Sequence, residues 1–110
     1  MAGEENATSL EAVKRKLRIT YSDAETDARV REIAEQAEGE LRFALGIPDD
    51  QNPFEKPGAE SGLLLNLCFY EWNDAGDEFW SNYEGKVAQC REKWTVMAFA
   101  KENEGDDVVQ

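Results

Sequence analysis

The stretch SDAETDARVREIAEQAEGELRFALGI, residues 22–47, decides the fold. Val30, Ile33, Ala34, Ala37, Leu41, Ala44 and Leu45 recur at spacings of three and four, the period of one face of an α-helix. Ser22 with Glu25 forms a capping-box pattern at the start, and Asp23 adds negative charge where the helix dipole favours it. Gly46 tolerates the left-handed conformation that ends helices, and Pro48 follows where a helix can no longer continue. From Ser22 to Leu45 such a helix would be roughly 35 Å long.

The same logic extends in both directions. Upstream, Thr8 with Glu11 is a second capping-box pattern, and Leu10, Val13 and Leu17 then fall on one face of a short helix that reaches the linker Ile19–Tyr21. Residues 1–7, MAGEENA, carry no periodic apolar pattern and read as a leader. Downstream, residues 46–60 hold Pro48, Pro53 and Pro57 among turn formers and charges, which predicts a long loop. Phe54 is its one large apolar residue besides Ile47. It either pins the loop onto the chain's own core or anchors a neighbouring subunit.

The segment Ser61–Trp72 is apolar on nearly every face, so a third helix belongs at the centre. After a turn at residues 73–76, Trp80, Tyr83, Val87, Cys90 and Trp94 form a narrow packing seam on a fourth helix. Val96, Met97 and Phe99 come next, then an acidic end containing Glu102, Glu104, Asp106 and Asp107. This arm either extends the fourth helix or pairs in extended form with a partner's edge. The expected fold is all-α, a small helical bundle of about four helices with a long loop between helices two and three and a flexible C-terminal arm. The expected division is a leader over 1–7, a bundle over 8–94 and an arm with an acidic tail over 95–110.

Twenty-four acids against twelve bases give a formal charge of −12, which repels a phosphate backbone. Such a charge suits solubility, docking on a basic protein, or lining a passage through which DNA slides without sticking. Four of the bases, Lys14, Arg15, Lys16 and Arg18, crowd onto the first helix. They form either a solvated face or a patch that meets an acidic patch of the next copy, the head-to-tail contact that closes a ring.

There is no histidine, no glycine-rich phosphate loop and no GxSxG elbow, so the chain is not expected to be an enzyme or to hold a cofactor. Asn73, Asp74, Asp77 and Glu78 do not follow the EF-hand spacing, and no metal is expected there. Cys68 and Cys90 sit within apolar helical patterns and should behave as small hydrophobes, reduced, in a cytosol. No apolar run is long enough for a membrane span.

Taken in order, LEAVKRKLRI (10–19), the acidic stretch 22–47 and LLLNLCFYEWNDAG (63–76) resemble the head-tail connector, or adaptor, family of tailed phages. That family typically shows a short helix ending in Leu-Arg-Ile, an acidic linker, a long helix ending in Gly-Ile, and a third helix closing in a Tyr- or Trp-rich stretch. Leu17, Arg18 and Ile19 match the first feature, and Ala37–Ile47 the end of the long helix. The likeness covers residues 8–76. Residues 77–110 match only as a further helix and tail, and Asn73 is followed by Asp74 and Ala75 where an Asn-Arg-Glu-like motif is usual.

The resemblance implies a virion component at the head-tail interface, assembled in the bacterial host cytoplasm. It would form a ring of neighbouring copies, twelve-fold, beneath the portal protein. It would also extend the DNA channel, touch DNA only in transient passage, and seat a tail or stopper (head-completion) protein, with no membrane partner. Val96, Met97 and Phe99 are then expected to order against the portal or an adjacent subunit. Lys14, Arg15, Lys16, Arg18 and Phe54 are expected to make inter-subunit contacts. The rival reading is an acidic helical regulatory or DNA-mimic interaction protein. Acids that alternate with bases on the second and fourth helices argue against it.

Overall fold

The computed structural model describes residues 6–109, with side chains through Glu102. The chain is all-helical: α1 (Leu10–Leu17), α2 (Ala24–Leu45), α3 (Ala59–Trp72), α4 (Gly76–Asn82) and α5 (Glu84–Val109), with a short 3-10 turn at Pro53–Glu55. No strand occurs among the described residues. Most of the leader expected over residues 1–7 lies outside them.

Each helix end has a local cause. Ser9, one residue after the expected Thr8, caps α1 by accepting from the Ala12 amide at 3.2 Å. Thr8 instead donates from its hydroxyl to the Phe54 carbonyl at 3.2 Å, tying the N-terminal segment to the loop. Asp23, not Ser22, caps α2: its carboxylate accepts from the Thr26 amide and the Thr26 hydroxyl, both at 2.9 Å. A carboxylate there also carries full charge against the helix dipole, an advantage a serine lacks. The Thr26 hydrogen bonds hold the Asp23 carboxyl below its ordinary range. Arg18 (φ 65°) and Gly46 (φ 71°) end α1 and α2 in the left-handed conformation.

α3 packs against α1, α2, α4 and α5, and against the 3-10 turn. Leu63, Leu64, Leu67 and Cys68 are buried on it, and they meet Val13 and Leu17 of α1, Val30, Ala37, Leu41 and Leu45 of α2, and Phe79, Cys90 and Trp94 in one core. The central position expected for the third helix is the one it occupies.

One expectation is corrected, and one open alternative is decided. The expected fourth helix is two, separated at Tyr83, whose ring stacks on Phe79 at 4.8 Å between centroids and meets Tyr70 edge-on at 6.0 Å. The weak helix formers Ser81 and Asn82 precede the break. Of the aromatic residues on α4, Phe79 is fully buried, while Trp80 is only partly so. The arm is also helical, since α5 continues without interruption to Val109. Ala98, Ala100, Lys101 and Glu102 are good helix formers and supply a local reason.

The long loop between α2 and α3 is partly ordered by its own side chains. Arg42 donates to Glu38, to the Pro48 carbonyl and to Asn52, and lies 5.5 Å from the centre of the Phe54 ring. Phe54 is 1% exposed and belongs to the chain's own core. It therefore offers no surface to a neighbouring subunit. Phe54→Ala should cost about 3–5 kcal/mol of stability, read from urea unfolding. An unchanged midpoint would return Phe54 to the role of intermolecular anchor.

Candidate assembly surface

The last helix is fixed to the bundle by a buried carboxylate. Glu60 lies in the first turn of α3, where the helix dipole favours an acid, and its side chain is almost wholly removed from solvent. One oxygen, Oε2, accepts from the Trp94 indole N–H at 3.0 Å and the Cys90 thiol at 3.4 Å, and it pairs with the Lys93 ammonium. All three donors come from α5. Burial pushes the Glu60 carboxyl up, but the Lys93 ammonium, its own backbone amide and the Trp94 and Cys90 donors outweigh that and hold it below the usual carboxylate range. The same hydrogen bond to Glu60 raises Lys93 above the ordinary ammonium value.

Among the residues whose side chains are described, Trp94 is the last buried one of α5; from Thr95 to Glu102 every side chain is exposed. The helix nevertheless runs on, and the molecule is correspondingly long, 59 × 36 × 19 Å with a radius of gyration of 16.1 Å. A compact chain of this length would have about 13 Å. At 100° per residue, Val96 and Phe99 lie roughly 150° around the helix from the seam of Val87, Cys90 and Trp94. The apolar ridge is therefore no continuation of the packing seam. Val96 is 59%, Met97 49% and Phe99 63% exposed.

The four bases of α1 do not form one patch. Lys14 turns inward, donates to the Tyr21 carbonyl at 2.7 Å and pairs with Asp27 at 2.8 Å, joining α1 to the linker and to α2. Lys16 lies over the Phe69 ring at 5.8 Å. Arg15 and Arg18 are exposed on the surface. Of the expected inter-subunit residues, Lys14 and Phe54 thus act inside the chain, and only Arg15, Lys16 and Arg18 have surface to offer.

Sequence reasoning overlooked two features. Phe43 is 92% exposed on α2. Its signal was available, because it falls off the Leu41–Leu45 stripe. Glu60 was read as the end of a loop, and only the tertiary fold brings it to Trp94. The cysteines are both free and buried. Burial pushes Cys68 up to about 12, and burial with the adjacent Glu60 pushes Cys90 up to about 11, so neither is a reactive thiolate at neutral pH.

Among the described residues no group of His, Cys, Asp or Glu side chains is placed to hold a metal ion, and no helix is long and apolar enough to cross a membrane. In comparisons with known proteins, no family model, no curated protein and no solved structure matches the chain.

Two outcomes follow from the charge pairs. The Glu60–Lys93 contribution is intact between the usual values of 4.5 and 10.5; it is lost as pH falls through the lowered carboxylate value or rises through the raised ammonium value. Glu60→Gln should cost about 1–2 kcal/mol at neutral pH, and the gap to the parent protein should shrink on acidification below 4.5 in chemical unfolding. A pH-independent gap would assign the effect to shape alone. Lys14→Ala should cost roughly 2 kcal/mol with little dependence on salt. A neutral, salt-sensitive result would make Lys14 a surface charge.

Proposed function

We propose that the chain is a structural subunit of a phage head-to-tail connector, assembling as a ring beneath the portal, extending the DNA channel and seating the next tail or head-completion protein. The observation that carries this reading is the distal half of α5. There Val96 and Phe99 are exposed on the face turned from the bundle and Met97 is exposed on another, on a helix that continues past Trp94 and is followed in sequence by an acidic end. A long helix with an uncovered apolar face suits a protein whose work is to join others. The order of LEAVKRKLRI, the acidic long helix and the aromatic third helix supports placing it among the connectors. The formal charge of −12 suits a passage that DNA crosses without being held.

The ridge meets the portal or an adjacent subunit, and Arg15, Lys16 and Arg18 lend it steering charge at other faces of the ring. The test is cosedimentation with a portal ring from the same source, scored for saturable, ring-like stoichiometry. Replacing Val96, Met97 and Phe99 together by Glu should leave the far-ultraviolet circular dichroism and the thermal midpoint near the parent values and remove portal binding. Undiminished binding by that variant would overturn the assignment of the ridge. A parent protein that does not bind the portal and stays monomeric would favour the acidic regulatory reading.

A further inference from the structure

An open groove of about 520 Å³ runs between α3 and the first half of α5. Gly62, Leu63 and Asn66 of α3 line it on one side, and Tyr83, Lys86 and Cys90 of α5 on the other. Gly62 sits within a helix, where glycine is among the poorest residues, and a Cβ there would meet no atom within 4 Å. Its missing side chain serves no contact inside the chain; it keeps the groove deep.

The rim of the groove carries one exposed lysine beside a lysine already paired within the chain. Lys86 is exposed and has no ion-pair partner among the described residues. The Lys93 side chain is half exposed at the edge, with Glu60 on its inner side. An apolar floor beside the exposed Lys86 suits an amphipathic helix that is apolar on one face and acidic beyond it. The distal half of α5 has that character, with Val96 and Phe99 on one face and Glu102, Glu104, Asp106 and Asp107 following in sequence. Because α5 is one unbroken helix to Val109, its distal half cannot turn back into its own groove. The occupant has to come from a second molecule.

We propose that the distal half of α5 from one copy of this chain docks in the α3–α5 groove of the next copy. This rests on reading the ridge as an assembly surface and names its partner. The two surfaces differ, so the contact is heterologous: each copy in a chain of copies gives one arm and receives one, and a ring results where the rotation closes.

Two full-length variants test it. Gly62→Phe fills the groove and leaves the arm intact, with Gly62→Leu as a smaller filling if the phenylalanine disturbs folding. Val96→Glu with Phe99→Glu disables the arm and leaves the groove intact. Both sites have room or face solvent, and circular dichroism checks that each variant is folded. In sedimentation velocity the parent protein should form concentration-dependent oligomers. Each variant alone should be monomeric, its self-association weakened about tenfold or more. An equimolar mixture should form a one-to-one dimer that grows no further, since the arm of the groove-filled variant enters the groove of the arm-disabled one. Folded variants that form no mixed dimer, a groove-filled variant that assembles like the parent, or a parent that is monomeric at every concentration would each overturn the proposal. Portal cosedimentation is scored separately. A mixed dimer without portal binding by the parent would remove the connector reading alone, and portal binding without a mixed dimer would remove this inference alone.

Discussion

A carboxylate withdrawn from water is tolerated only where donors replace the hydration it has lost, and Glu60 finds all of its side-chain donors on one helix. Trp94 supplies a neutral donor on the buried side, Lys93 a charge toward solvent, and Cys90 a weak third contact. These three residues fall within two turns of α5, so satisfying one oxygen fixes both the position of that helix and its rotation about its own axis. The rotation matters more than the position. With Val87, Cys90 and Trp94 turned to the bundle, Val96 and Phe99 are turned away from it, and their exposure follows from the geometry of one continuous helix.

The rest of the structure supports that anchor from below. α3 carries Glu60 at its start and touches every other helix, so the carboxylate stands on the most constrained element of the fold. Lys14 and Asp27 play a similar part at the opposite side, joining α1, the linker and α2 through a largely buried ion pair. Lys14–Asp27 joins two consecutive helices, whereas Glu60–Lys93 joins elements distant in sequence. An acidic molecule has few bases to use, and those at positions 14, 42 and 93 are committed within the chain. Each of these bases takes one acid with it, so the pairs leave the formal charge of −12 unchanged, and the exposed Val96 and Phe99 of α5 stand out against it.

Much of this was legible in the residues and some was not. The α2 stripe, the apolar α3 at the centre, and the seam residues Cys90 and Trp94 all follow from spacing, because burial on a single helix repeats with the helix's own period. The caps were misplaced by one residue at Thr8 and Ser22, since neighbouring Ser9 and Asp23 can make the same hydrogen bond and only backbone geometry decides between them. The break at Tyr83 comes from aromatic packing against Tyr70 and Phe79, which no local pattern encodes. Lys14 looked like a surface feature because its residue type usually places it there, and for Phe54 the core and an intermolecular contact were both open; tertiary partners drew both inward. Glu60 was invisible for the same reason, since its donors lie thirty or more residues away.

On the proposed function, α5 has two halves of different purpose, one held by the bundle and one held by a partner. Hydrogen exchange read along α5, in the free protein and in the assembled state, tests this most directly. Amides from Val87 to Trp94 should be protected in both states, whereas those beyond Thr95 should exchange quickly when free and become protected on assembly. Amides beyond Thr95 that exchange alike in both states would contradict it.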